Sequence, residues 1–185
     1  MTRVNLVVDA PPVFRQRLLD AIPRLRRYAR SLTHEPSEAD DLTQQTLARA
    51  LAHWRQFDPE RDMLVWLLSI AHNAFLDGRR RDARLQVTDP TEMQRAQDAQ
   101  GGSAGTDVGL RLDLLAALAR LGPDQREALI LVCVEQLSYA EVAEVLRIPI
   151  GTVMSRVCRA RQILRRFLEG TERRGGSSAA LRRVV

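Results

Sequence analysis

Lysine is missing from this 185-residue chain, and all 28 of its basic residues are arginine. Two readings fit that absence: the codon bias of a GC-rich genome, and a preference for the planar guanidinium fork over a point charge. Aromatic residues amount to only 4%, so any core must be built mainly from Leu, Val, Ile and Ala. Cysteine is nearly absent too. Cys133 and Cys158 are too far apart for a Cys-x-x-Cys clip, and both sit in apolar helical stretches, where they read as small core residues. No apolar run approaches the roughly 20 residues that span a bilayer, and no charged segment followed by an apolar one marks a leader. A soluble, cytoplasmic protein without membrane insertion is expected. His34, His53 and His72 are scattered, with no His-Glu-x-x-His pair and no phosphate-binding glycine loop. Neither cofactor, metal nor catalytic activity is therefore expected.

What is present is helical spacing. Nothing alternates with period two for long, so the fold class is all-α. The first helix, over residues 13–32, places Phe14, Leu18, Ile22, Leu25 and Ala29 on one stripe, and Pro23 either kinks it or begins a new helix. Ser37-Glu38-Ala39-Asp40 resembles a capping box opening a second helix that ends near Trp54. A turn at Phe57-Asp58-Pro59 leads to a third helix over 63–81, with Leu64, Leu68, Ala71 and Phe75 on its buried face. Residues 86–107 are polar, acidic and glycine-rich, the composition of a flexible linker. Helical pattern resumes over 108–120, 124–135, 138–146 and 150–168, and a Gly/Ser/Arg-rich tail over 171–185 reads as disordered. Two small helical domains, 10–85 and 108–170, joined by a tether, are expected, each with a modest core.

The net charge of +5 and a pI near 10.4 favour a polyanionic partner. Residues 137–167 show how it is met. Ser138-Tyr139-Ala140-Glu141 forms a capping box, Ala140, Val142, Ala143 and Leu146 make a short helix, and Arg147-Ile148-Pro149 stops it. In the next helix Val153, Val157, Ala160, Leu164 and Phe167 share an apolar stripe, while Thr152, Ser155, Arg156 and Arg159 fall on the opposite face. A recognition helix needs such a face, because arginine forks onto guanine edges and hydroxyls reach phosphates or bases. The competing reading is an amphipathic helix with solvated arginines; against it stand the capped helix before, the Pro-marked turn, and the lack of any acid between Ile150 and Leu168.

Leu137-Ser138-Tyr139-Ala140-Glu141-Val142-Ala143, with Gly151-Thr152-Val153-Met154-Ser155-Arg156-Val157 and Arg159-Ala160-Arg161, resembles region four of bacterial sigma factors, especially the small extracytoplasmic-function (ECF) group. The resemblance implies that this motif engages the promoter's minus-thirty-five element. Many members carry Lys where this chain has Met154, so one phosphate contact is expected to be absent there.

The first domain agrees. Residues 39–50, Ala39-Asp40-Asp41-Leu42-Thr43-Gln44-Gln45-Thr46-Leu47-Ala48-Arg49-Ala50, resemble region 2.2 of that family. This implies that Asp40, Asp41, Gln44, Gln45 and Ala48 dock on the clamp helices of the β′ subunit of core RNA polymerase. Physically, Asp41, Gln44, Gln45 and Ala48 offer a polar face of short side chains that a partner helix can approach closely. Residues 66–77 with Arg79, Arg80 and Arg81 resemble regions 2.3 and 2.4, which implies that Asn73, Asp77 and the arginine run meet the minus-ten element. Asn73 serves equally well as a local hydrogen-bonder, and Trp66 suits core packing better than base stacking. The resemblance further implies an anti-sigma factor among the partners, and an acidic linker running near the polymerase active-site channel.

Two regulatory alternatives come from other classes. A LuxR-type regulator acting without polymerase would need a sensor or receiver domain, and no βα alternation supplies one. A sigma-like mimic that only titrates an anti-sigma factor should lack the basic recognition face, which this chain keeps.

Overall fold

In the computed structural model the described residues are 10–33, 35–86 and 116–174. The linker expected over 86–107 lies outside them apart from Gln86, as do residues 108–115 of the following helix and 175–185 of the tail. Among the described residues every regular element is helical.

Helix α1 spans Pro12–Leu32, with proline in its first turn, where the missing N–H is no loss. It runs unbroken through Pro23. That proline is exposed, and the carbonyl it leaves without a partner belongs to Leu19, itself 57% exposed, so water can take the place of the lost bond. The buried stripe is Phe14, Leu18, Ala21, Leu25, Tyr28 and Ala29, with Ile22 only half-buried.

Helix α2 spans Pro36–Ala52 and corrects the expected cap. Glu35 precedes the helix, no side chain caps it, and Ser37 lies inside the first turn, because Pro36 already supplies the fixed φ of a helix start. Its buried face carries Thr43 and Thr46, whose hydroxyls donate to the carbonyls of Ala39 and Leu42, each at 2.7 Å. A satisfied threonine can be buried without an orphan, so α2 packs closely against α1 and against α3, Met63–Gln86. The Asp62 carboxylate accepts from the N–H groups of Leu64 and Val65 at 2.6 and 3.3 Å, which caps α3.

Between α2 and α3 a short 3-10 turn, Trp54–Gln56, leads into a loop held by an aromatic cluster. Phe57 stands edge-on to Phe14 at 5.7 Å between ring centroids, and Trp66 lies 5.1 Å from Phe57 and 6.1 Å from Phe14. Trp66 is thus a packing residue. Arg17 fastens the loop from outside, donating to the carbonyls of Pro59 and Arg61 at 2.8 Å each.

The second bundle follows a helical turn at residues 116–119. It comprises α4 (Pro123–Cys133), α5 (Tyr139–Leu146) and α6 (Ile150–Arg174). The capping box of α5 forms as expected: Glu141 N donates to Ser138 Oγ at 3.2 Å, and Ser138 N donates to Glu141 Oε2 at 2.7 Å. Arg147 ends α5 in the left-handed region at φ 53°, and Ile148 N reaches back to Ala143 O at 3.1 Å. Val153, Val157 and Ala160 of α6 are buried, while Leu164 and Phe167 are half-buried. Helix α6 continues past the expected end near residue 168 to Arg174, so residues 171–174 extend the helix instead of opening the tail. Both cysteines are exposed and unpaired, contrary to the core reading, since each lies on the outer side of its helix.

The two bundles are packed together. One apolar cluster contains residues of both, with α1 against α4 and α3 against α5. Ser138→Ala should lower unfolding free energy by about 1 kcal/mol. Arg147→Gly, which relieves an L-residue at positive φ, should raise it by up to about 1 kcal/mol. Urea denaturation of the full chain reads both.

Candidate nucleic-acid and partner-binding surfaces

The buried stripe of α6 turns its opposite side outward. Ser155 and Arg159 are exposed there, while Thr152 and Arg156 are half-buried. Ser155 Oγ donates to the Thr152 carbonyl at 2.9 Å, leaving the hydroxyl oxygen free to accept. Arg156 is held in the bundle: its Nη2 donates to Asp124 Oδ2, in the first turn of α4, at 2.7 Å. Asp124 is the more exposed partner, its side chain 69% accessible against 25% for Arg156. Breaking this surface pair costs at most about 1 kcal/mol, so Arg156 can be exchanged to an external acceptor. Arg159 has no partner among the described residues. Met154, at 48% exposure, adds an apolar spot to the same side.

On α2, Asp41, Gln44 and Ala48 are exposed and Gln45 is half-buried, so these four form the outward face expected of them. Asp40 is half-buried beside them, its side chain 41% exposed. Its carboxylate lies 2.9 Å from Arg26 Nε of α1 and braces those two helices.

On α3, Asn73 is half-buried and its Nδ2 donates to Ser69 O at 2.7 Å, the local bond that competed with the base-reading role; Oδ1 is left to accept. Asp77 lies 3.7 Å from Arg49 and 4.0 Å from Arg80. Arg79 sits over the Phe75 ring, 5.9 Å from its centroid, and Arg81 Nε donates to the Asp77 carbonyl at 3.3 Å. Arg80, with a side chain 73% exposed, is open to solvent.

The structure brings together two of these surfaces that the sequence leaves separate. Asp41 and Gln45 of α2, with His72, Phe75 and Arg79 of α3, line one side of an open groove of about 850 Å³. Asp124, Arg126 and Glu127 of α4, with Ile148 and Arg156, line the other.

Sequence reasoning missed the buried charges that join the two bundles. Glu135 follows α4, where Gln136 at φ 55° reverses the chain, and its side chain is fully buried. Arg27 forks onto it, Nε to Oε1 at 2.8 Å and Nη2 to Oε2 at 2.9 Å. Arg24 Nε donates to Oε2 at 3.1 Å, and its Nη2 donates to the Glu135 carbonyl. The bonds to Glu135 push the Arg27 pKa further up. Eight residues earlier, Glu127 is also buried and accepts from Tyr28 Oη at 2.5 Å and from His72 Nδ1 at 2.8 Å. The latter bond places the proton on Nδ1 when Glu127 is ionised. The available signals were weak: two acids bracketing the apolar run 128–134, and Arg24, Arg27 and Tyr28 at helical spacing on α1.

Tyr28→Phe removes one charge-assisted bond and should lower unfolding free energy by about 2 kcal/mol near neutral pH. Burial first, and the Glu127 charge second, raise the Tyr28 pKa well above 10.0. Its contribution is complete below the unfolded value and is lost as pH climbs from about 10 toward the folded value. Urea titrations at pH 8 and above pH 10 should therefore show the gap between wild type and Tyr28→Phe narrowing in alkali.

Compared with known proteins, the chain matches Sigma-70 region 2 over residues 18–85 and Sigma-70, region 4 over residues 111–164. It is 38% identical over 155 residues to the ECF RNA polymerase sigma factor EcfG of Rhodopseudomonas palustris (strain TIE-1), covering 83% of this chain and 84% of that protein. It is 31% identical over 142 residues to ECF RNA polymerase sigma factor SigW of Bacillus subtilis (strain 168), covering 71% and 75%. Its fold is similar to the sigma factor RpoE solved in complex with the anti-sigma factor NepR from Bartonella quintana. There the TM-score is 0.72 at 34% identity, over 86% of this chain and 98% of that one.

Proposed function

This chain belongs to the ECF sigma factors of RNA polymerase, and on that footing we propose that it binds core polymerase through α2 and directs it to promoters through α3 and α6. The observation that carries the reading is the presence, on one chain and in family order, of a polar short-chain face on α2 and an arginine-bearing face on α6. Asp41, Gln44, Gln45 and Ala48 take the clamp helices of the β′ subunit. Asp40 supports them by holding α2 to α1.

Asn73 Oδ1, Asp77 and Arg79 to Arg81 meet the minus-ten element, with Arg80 the first arginine available to a phosphate. Thr152, Ser155, Arg156 and Arg159 enter the minus-thirty-five major groove, and Arg156 trades Asp124 for a base edge or phosphate. Met154 supplies an apolar contact instead of a phosphate contact. A LuxR-type regulator does not account for residues 18–85, which match Sigma-70 region 2. An anti-sigma factor is the expected controlling partner, since the similar RpoE is solved with one. The work is cytoplasmic, where polymerase and promoter meet; among the described residues no helix is long and apolar enough to cross a membrane.

Arg159→Ala and Arg156→Ala should each weaken binding to a cognate promoter duplex by about 1–3 kcal/mol while leaving core-polymerase affinity intact. Fluorescence anisotropy measures the first quantity and pull-down of core enzyme the second; unchanged promoter affinity for both variants would sink the assignment of this face. Asp41→Arg should do the opposite, weakening capture of core polymerase without changing the affinity of the promoter duplex for the free chain.

A further inference from the structure

We infer that Ile150 and Met154 form an apolar ridge on α6 that reads thymine, packing on the 5-methyl groups this base presents in the major groove. The inference rests on the proposed function and deepens it, since it names a base chemistry for the α6 face.

Among the described residues the large apolar side chains left exposed are Val13, Leu19, Val134, Ile150 and Met154. A single one needs no explanation. Two of them, however, lie one turn apart at the start of α6, Ile150 at 45% and Met154 at 48% exposure. Side chains four apart stack into one ridge of a helix, and the next position along this one is the exposed Cys158. The neighbouring ridge, Gly151, Ser155 and Arg159, is exposed as well. A Cβ on Gly151 would meet nothing within 4 Å, so packing within the chain does not call for glycine there. With no side chain at that position, a partner can close on the apolar and polar ridges together.

The N-terminal residues of a recognition helix are the ones that reach base edges. Every base edge in the major groove carries hydrogen-bonding atoms, and thymine alone adds an apolar group, its 5-methyl. The Ile150 side chain has no polar atom, and Met154 has only a weakly accepting thioether. Set against guanine, cytosine or adenine, the ridge strips water from donors and acceptors and returns no bond. Set against thymine, it covers a methyl carbon. Discrimination thus comes from both sides, a gain at thymine and a desolvation cost elsewhere. Met154 is unbranched and adapts to an irregular surface, while Ile150, branched at Cβ, holds one shape. Charge favours DNA over an apolar protein groove as the occupant: Arg159 flanks the ridge, and no acid lies between Ile150 and Leu168.

The test begins with holoenzyme, reconstituted from core polymerase and the full chain, selecting from duplexes randomised over the minus-thirty-five element. The selected duplex is then compared with copies carrying deoxyuridine for thymine at one position at a time. That exchange removes the methyl and keeps every hydrogen bond. At the positions facing the ridge it should weaken wild-type binding about four-fold, the weight of one buried carbon. The double variant Ile150→Ala plus Met154→Ala, in which both replaced side chains are exposed, should bind the thymine and uracil duplexes equally. Met154→Lys adds a second readout. Its ammonium should tighten binding to every duplex, steepen the dependence of log affinity on log salt by about one, and lose the methyl preference beneath it.

A selected element without thymine overturns the inference. So does wild type that tolerates uracil at every position while Arg159→Ala still weakens binding, and in both cases the proposed function stands. An equal uracil penalty in wild type and the double alanine variant overturns it too, because the methyl is then read elsewhere. If the double variant instead loses capture of core polymerase, the ridge is a protein contact and the inference fails. Holoenzyme that selects no sequence at all sinks the proposed function, and the inference with it.

Discussion

A fully buried carboxylate sets a constraint of a kind that apolar contact does not, because it must be paired wherever it lies. Glu135 is completely buried just beyond the C-terminal end of α4, where the helix dipole opposes its charge. Burying an unpaired ion there would cost several kcal/mol. The forked bonds from Arg27 and the double contact from Arg24 offset that penalty. Because both arginines sit on α1, the requirement fixes how the second bundle lies on the first. Glu127 adds a second fixed point on α4, where Tyr28 of α1 donates to it. Two points define the orientation of a helix where apolar contact alone would let it slide.

The apolar core plays a different part. Within the first bundle, Phe14, Leu25, Leu67 and Leu68 are buried beside threonines whose hydroxyls are satisfied in place by their own helix. The second bundle is likewise closed by Leu131, Val142, Val145, Val153 and Val157. These residues belong to one apolar cluster that runs through both bundles, so apolar contact as well as charge joins them.

Local order was largely legible in the sequence. The α5 capping box, the Pro-marked turn and the α6 stripe rest on neighbours within one or two turns, and all three appear as expected. So does the outward face of Asp41, Gln44 and Ala48. Where expectation and structure part, the deciding information lies outside the local pattern. Ser37 yields the helix start to Pro36, which pattern alone ranks no higher than serine. Residue type sends Cys133 and Cys158 to the core, yet their helical phase points them outward. The pairing of Arg24 and Arg27 with Glu135 spans more than 100 residues of sequence, and no periodicity carries information across that distance.

The lysine-free composition takes on a sharper meaning in this light. Whatever its origin in codon usage, several arginines occupy places a lysine could not fill. Arg17 grips two carbonyls at once, and Arg27 holds both oxygens of one carboxylate; an ammonium lacks the planar fork for either. Arg156 lies between these extremes, held by an acid that is itself mostly solvated. Arg80 and Arg159 are left largely exposed. Arg17 and Arg27, with backbone or buried acceptors, organise the fold, while Arg80 and Arg159 keep exposed charge of the kind the proposed promoter contacts need.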